Sequence, residues 1–442
     1  MHETRPAKIT SPITTLNGGH LRTAPVALIV GAIGIGVAIM LSFSSDEGLK
    51  RFMFTYLTSF CFVLSISVGC LFFVTIMHLT RAGWSVTVRR VAELYAMCAL
   101  GLGILFIPIL ATVLSGSDMI YSWNQGGWTM HDLTAAEKVE FEAVANRPPL
   151  EQMKYQFLNQ NFFTVRVVAY FLAWGGMAWF FLSNSLKQDK SGDKNLTSRM
   201  QAFSAPLMIL FAVTVVFSSF DMEMSLSALW FSTMFPVYFF AGAFLSALCT
   251  ILLTGLWLQK TGRVTDEITI EHYHDLGKLM QGFVIFWGYI AFSQFLLIWY
   301  ANIPEETGWF LARQLGDWGW FSAWLLFGHF CIPFVFLISK HPKRDWKTLL
   351  LAACWLLFFG WFDVYWLVMP VIPHDLATFE TYDGAVQAYA SESTGIGHPV
   401  NWLLMIGMLG IFASVTIARL RAHPLLCRKD PWLKDSLGFE NF

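Results

Sequence analysis

An all-α integral membrane fold of ten transmembrane helices is what the sequence predicts, and three observations predict it. Hydrophobic residues make up 55% of the 442 and charged residues only 13%, about half the charge fraction of soluble domains, which is roughly 25%. Mean hydropathy is +0.53, and apolar stretches long enough to cross a hydrocarbon core of about 30 Å recur along the whole chain. The 29 Lys and Arg residues gather in alternate connections, as they do when a chain crosses a membrane repeatedly.

Taken in order, the apolar segments cover residues 25–44, 52–79, 90–115, 161–184, 203–224, 229–258, 275–301, 318–340, 346–370 and 397–420. Residues 1–24 carry Arg5, Lys8 and Arg22 but no short apolar core with a cleavage site, so they read as a cytoplasmic tail and not a signal peptide. Residues 421–442 form a second such tail, because an even number of spans returns the chain to its starting side. With the N-terminus inside, the inner connections and tails hold 21 Lys and Arg and the outer ones six. Arg166 and Lys278, which fall inside helices, complete the count, and the asymmetry selects N-in, C-in. Two outer loops are long. Residues 116–160 contain WNQGGWTMHDL and the acidic AAEKVEFEAV, and residues 371–396 contain Asp375, Glu380, Asp383 and Glu392 without any Lys or Arg. Connections of this length are uncommon without a role, and both capping of the bundle and docking of an extrinsic protein fit them.

The chain repeats itself. VTVRRVAEL at 86–94 aligns without gaps on ITIEHYHDL at 268–276, setting Glu93 opposite Asp275, and just upstream Arg81-Ala82-Gly83 matches Lys260-Thr261-Gly262. Phe220-Asp221 in the fifth span likewise matches Phe362-Asp363 in the ninth. Two four-helix bundles follow, residues 52–224 (spans two to five) and 229–370 (spans six to nine), flanked by spans one and ten. A unit with an even number of spans keeps its orientation when copied, so the pseudo-twofold axis lies along the membrane normal.

Chemistry-bearing residues fall into two groups. The seventh span carries His274, Asp275, Lys278, Tyr289, Ser293 and Tyr300 at spacings that keep most of them near one helical face. With His329 and Asp363 they form a candidate proton path, since ionisable groups inside spans are costly enough to be functional candidates. The plainer reading is that Lys278 snorkels to the surface and the tyrosines bond between helices. Arg166, Asp221 and Glu223 share a depth near the outer ends of spans four and five. They read either as a structural ion pair or, functionally, as a quinone headgroup site or the outer mouth of a proton route. His329 finds no partner histidine at its own depth, which argues against a haem b. Six of the seven cysteines, Cys61, Cys70, Cys98, Cys249, Cys331 and Cys354, lie in apolar segments, and no CxxC occurs. Neither an iron–sulfur cluster, a structural zinc nor a covalent haem is signalled. His272 and His274, two residues apart, are spaced for capping more than for a metal.

Three strings, FSTMFPVYFFAGAFLSAL at 231–248, ITIEHYHDLGKL at 268–279 and FSQFLLIWYANIPEET at 292–307, resemble the NrfD/polysulfide-reductase membrane family, and within it the second core membrane subunits of bacterial alternative complex III. The resemblance implies a multi-pass subunit of a quinol:cytochrome c, or other quinol:acceptor, oxidoreductase in a bacterial inner membrane. It implies a homologous NrfD-like sister subunit, an extrinsic iron–sulfur protein, and multihaem and monohaem cytochromes c as partners, with membrane lipid around it and no nucleic acid. The haem c groups and iron–sulfur clusters belong to those partners. This chain binds none by itself, with quinone or quinol as its own candidate ligand and the main quinol site implied in the sister subunit.

The expected function is therefore a core subunit without a redox metal, acting as scaffold and in proton translocation. A quinone-binding anchor of another NrfD-type oxidoreductase is the alternative. A secondary transporter fits less well, because transporters bind substrate at the midplane through helices broken by Gly and Pro. Here Pro108, Pro206, Pro236, Pro333 and Pro370 are scattered.

Overall fold

The computed structural model describes residues 23–43, 46–124, 154, 156–228, 230–371, 383–384, 386–387 and 393–441. Every regular element among them is helical. Ten helices are long and apolar enough to cross a membrane: α1 (Thr23–Ser42), α2 (Glu47–Leu79), α3 (Gly83–Leu114), α4 (Gln160–Ser191), α5 (Asn195–Leu226), α6 (Phe235–Lys260), α7 (Ile270–Ala301), α8 (Asp317–Ile338), α9 (Trp346–Val371) and α10 (Pro399–Ala422). The chain has the architecture of a multi-pass membrane protein. Its upper face carries residues 115–124, 227–228, 230–234 and 302–316, and its lower face carries 80–85, 192–194, 261–269, 339–345 and the described tail after α10.

Each of the ten apolar segments is a helix, but several helices outrun the segments. α4 continues to Ser191 and α7 begins at Ile270, because backbone hydrogen bonding does not stop where hydropathy falls. Thr269 and His272 close a reciprocal capping box at the start of α7, satisfying donors that the first turn leaves open. At the other end Asn302 adopts a left-handed conformation, φ 50° and ψ 40°, which asparagine tolerates better than most residues. α6 starts at Phe235 and not at 229, since Pro236 in its first turn favours helix initiation there.

Two spans are not continuous α-helix. α3 is broken at Met97 and Phe106 into three pieces, the last one holding Pro108, which has no N–H to give the preceding turn. α8 widens into a π-helical turn over Leu326–Cys331. Pro333 follows it, and a proline there cannot bond the carbonyl of residue 329, so the turn opens. The Trp355 indole donates to the Gly328 carbonyl at 2.7 Å, restoring a bond within the loosened turn.

In lipid, packing and small residues, not water exclusion, hold helices together. α2 and α6 cross in the centre, Gly69 lying directly against Ala243 and Ala247. α2 also meets α3, α5, α9 and α10, while α4 packs on α3 and α5, and α7 on α6 and α8. α1 leans chiefly on α10, where a Cβ on Gly31 would stand 2.8 Å from the Gly407 carbonyl and one on Gly34 2.9 Å from that of Leu403. The tail after α10 is folded. Its short helix Leu433–Leu437 sits beneath the bundle, and the Ser436 hydroxyl meets the Trp84 carbonyl at 2.6 Å, Thr87 Oγ1 at 3.2 Å and His272 Nε2 at 3.3 Å. One tail serine therefore touches the starts of both α3 and α7. Most of the expected loops 116–160 and 371–396, with their docking role and the acidic residues Asp375, Glu380 and Glu392, lies outside the described residues.

Candidate functional site

Two carboxylates anchor the upper half of the bundle. In the first, Arg166 of α4 meets Asp221 of α5 through two parallel bonds, Nε to Oδ2 at 2.8 Å and Nη2 to Oδ1 at 2.7 Å. The Tyr170 hydroxyl donates to the same Oδ2 at 2.6 Å. Positions 166 and 170 are one turn apart on α4, so both donors converge on one acceptor. The remaining guanidinium nitrogen bonds the Phe157 carbonyl at 2.8 Å, and the Phe157 and Phe162 rings cover its faces at 3.8 and 4.2 Å. This is a closed, bidentate and buried pair, the geometry in which opposite charges offset their desolvation best. Glu223, two residues on, is buried with the Cys61 thiol against it and lies within electrostatic reach of Asp363. It does not join Arg166 and Asp221.

The second carboxylate, Asp363 of α9, is gripped by neutral donors. The Tyr238 hydroxyl of α6 donates to Oδ1, and the Trp287 indole of α7 donates to Oδ2 at 3.0 Å. His329, presented by the widened turn of α8, places Nδ1 3.9 Å from Oδ2 and stacks on Trp287 with ring centroids 4.2 Å apart. Four helices thus each contribute one residue, and all four are buried.

A cavity of about 430 Å³ opens above this cluster, walled by Tyr238, Trp287, Gln294, Trp309, Arg313 and Trp366 among others. Arg313 forms part of its upper wall. Its guanidinium lies 3.3 Å from the centroid of the Trp309 ring and bonds the carbonyls of Trp309, Trp366 and Leu367 at 2.8, 3.1 and 2.7 Å. Two of those carbonyls belong to the last turn of α9, where a cation is electrostatically favoured. An aromatic chamber of this volume with a few converging polar groups suits a small amphiphilic ring. Two of its wall residues, Tyr238 and Trp287, are the donors to Asp363.

The polar residues of α7 do not join this cluster. Tyr289 and Tyr300 are 64% and 85% exposed on the outer surface of the bundle, and the Ser293 hydroxyl bonds back to the Ile290 carbonyl at 3.1 Å. Lys278 pairs with Asp275 and donates to Asn441 of the tail at 2.7 Å, at the lower rim. His274 is buried nearby. The face of α7 that turns inward carries Gly277, Met280, Val284, Trp287 and Gln294. The structure therefore brings His329 and Asp363 together, keeps Asp275, Lys278 and His274 at the lower end, and leaves Tyr289, Ser293 and Tyr300 apart from both.

Sequence reasoning passed over Tyr238, Trp287, Arg313 and Tyr170. Tyr238 and Trp287 sit in apolar runs where an aromatic reads as packing, and Arg313 counts simply as a loop cation. A usable signal was the matched pair Asp221 and Asp363. A buried carboxylate needs donors, which directs attention to Tyr and Trp on the neighbouring helices.

No protein-family model matches the chain, and no curated protein matches it. Among the described residues, no group of three or more His, Cys, Asp or Glu is placed to hold a metal ion.

Proposed function

We propose that this chain is a membrane core subunit of a quinol-oxidising respiratory assembly, and that it receives a quinol headgroup in the chamber above Asp363. The observation that carries the reading is the chamber itself, whose walls include Tyr238 and Trp287, both bonded to a buried carboxylate that faces His329. Bound there, a quinol would supply two electrons and two protons. Tyr238 and Trp287 hold Asp363 in place as an acceptor for a proton, and His329 stands next in line. Electrons would pass to an iron–sulfur or haem centre of a partner subunit, in keeping with the resemblance to the NrfD-type family.

The same resemblance supports a bacterial inner membrane as the location, a homologous sister subunit as neighbour, and cytochromes c and an iron–sulfur protein as partners on the upper, outer face. The concentration of Lys and Arg on the lower face supports N-in, C-in. The central crossing of α2 and α6, and the recurrence of an aspartate near the ends of α5 and α9, support two pseudo-symmetric bundles of helices α2–α5 and α6–α9. Within that pair the roles differ. Arg166 neutralises Asp221 and closes the first bundle as scaffold, whereas among the described residues no Lys or Arg pairs with Asp363, and its bundle is the one with the chamber.

The test is quenching of tryptophan fluorescence by decylubiquinone in the purified chain, since Trp287, Trp309 and Trp366 all line the chamber. Saturable quenching that Gln294→Trp, which fills the chamber, abolishes is the expected result. Quenching that is non-saturable and equal in that variant overturns the chamber as the site.

A further inference from the structure

A second cavity lies on the other side of α6 and has a different character. It holds about 460 Å³ between α6, α9 and α10, floored by Phe62 and Tyr95 and walled almost wholly by apolar side chains. Of the hydroxyls on its wall, those of Tyr95 and Thr254 bond each other at 2.9 Å and that of Thr250 donates to the Ser246 carbonyl at 2.8 Å. At its lower end it shares Leu253 and Trp257 with a third cavity of about 750 Å³, lined by Gln259, Lys260, Thr265 and Trp346. The two form one groove, apolar at membrane depth and polar where α6 ends and α9 begins.

Three features define what fits it. Leu350 lines the lower part and Trp361 the upper part along α9, a separation of about 17 Å at 1.5 Å per residue. That matches about half of a 30 Å hydrocarbon core, the depth of one leaflet's acyl chain. Leu350 and Phe358 are exposed on the outer surface of the bundle, so a chain enters sideways from the bilayer. At the polar end Lys260 lines the cavity, and Lys347 stands beside its lining residue Trp346, 5.7 Å over that ring; both lysines are exposed, and no carboxylate pairs with either among the described residues. Cations flanked by tryptophan at the foot of an apolar groove are the chemistry that holds a phosphate headgroup.

We propose that this groove is a binding site for one anionic phospholipid, its acyl chain lying between α6, α9 and α10 and its phosphate met by Lys260 and Lys347. The lipid fills a seam between the α1–α10 pair and the helices α6 and α9, so it also fastens the flanking helices to the core. The site is separate from the chamber above Asp363 and stands whether or not quinol binds there.

The experiment compares dioleoylphosphatidylglycerol with dioleoylphosphatidylcholine on the delipidated full chain, with bound lipid counted by native mass spectrometry. The two lipids share their acyl chains, so their difference reports the headgroup. Two lysines predict about a thirtyfold preference for phosphatidylglycerol. Lys260→Gln with Lys347→Gln, both at exposed positions, reduces the two lipids to parity, and Ala413→Trp, which fills the groove, weakens both. Equal binding of the two lipids by the unaltered chain, or a preference that survives the double lysine substitution, overturns the proposal.

Discussion

The Trp287 indole lies against the His329 imidazole, 4.2 Å between ring centroids and 25° from parallel, while its N–H bonds Asp363 at 3.0 Å. One side chain of α7 therefore sets both the position of the carboxylate and the plane of the histidine. Trp287→Phe keeps an aromatic face for His329 and removes only the donor. The hydrogen bond removed holds Asp363 and not the ligand, so the variant should lose about 1 kcal/mol of stability while quinone affinity falls by no more than roughly fivefold. Titration of the variant with decylubiquinone, followed by the fluorescence of the other chamber tryptophans, checks this. Trp287→Ala should lose more, since the stack goes with the donor.

Asp363→Asn keeps the shape of the side chain, and its amide oxygen can still accept from the Trp287 indole if the Tyr238 hydroxyl turns to accept from the new NH2, but it cannot take up a proton. If Asp363 is the proton acceptor, turnover with quinol in the assembled complex should drop by about 10²–10⁴-fold while quinone affinity changes little. A loss of affinity with unchanged turnover per bound quinol would instead make Asp363 a positioning residue.

The ten spans were legible because length and apolarity are what a bilayer selects, and each predicted segment is a helix. Facing was much less legible. Periodicity grouped Lys278, Tyr289 and Tyr300 on one stripe, but in a membrane an apolar face suits both lipid and core, so the stripe's direction is not determined by hydropathy. Tyrosine is tolerated facing outward, notably near the interface, and the inward face of α7 is instead the one with Gly277, Trp287 and Gln294. Asp221 and Asp363 were found as candidates because a carboxylate inside a span is rare. Their donors were not, since Tyr170, Tyr238 and Trp287 look like ordinary packing until the helices are placed side by side. The folded tail was hidden for a related reason. Its contacts with Thr87 and His272 span more than 160 residues of chain, and no local pattern announces them.

The pair Arg166–Asp221 allows a test that separates charge from shape. Arg166→Met leaves Asp221 buried with only Tyr170 as donor, and breaking a buried pair in this way costs about 3–5 kcal/mol. Asp221→Leu should be similarly harmful, because it strands the guanidinium. The double variant Arg166→Met with Asp221→Leu removes both charges, and most of the lost thermal stability should return. Unfolding temperatures of the four proteins in one detergent give the cycle. If the double variant is no better than the singles, the pair is not the dominant stabilising contact at this end of the bundle.

Contact between α1 and α10 depends on missing side chains. Gly34→Leu pushes a side chain into the Leu403 carbonyl and the Gly407 backbone, where even a Cβ stands at 2.9 and 3.3 Å. A Cβ on Gly36, two residues on, would have nothing within 4 Å, so Gly36→Leu is the matched control. The first substitution should lower the unfolding temperature by the equivalent of about 1–3 kcal/mol, and the second should leave it unchanged. Equal effects would mean that helix propensity, and not close approach, is being measured.

Beneath the first bundle, five charges share one buried cluster. Arg89 bonds Asp430 at 2.5 Å and Glu93 at 3.3 Å, and Arg90 pairs with Asp189 and with Glu93 at 3.5 Å. Two cations thus face three carboxylates, one of them from the tail. Asp430→Asn removes the excess negative charge and leaves Arg89 its bond to Glu93, so it should cost little more than one hydrogen bond, about 1 kcal/mol. Arg90→Met does the reverse, leaving Glu93 and Asp189 without their shared cation, and should approach the roughly 3–5 kcal/mol of a broken buried pair. Thermal unfolding of the two variants therefore ranks them in opposite order to a view in which the tail contact is the critical one. Under that view Asp430→Asn would be the more damaging, because of the two it is the one that weakens a bond between the tail and α3.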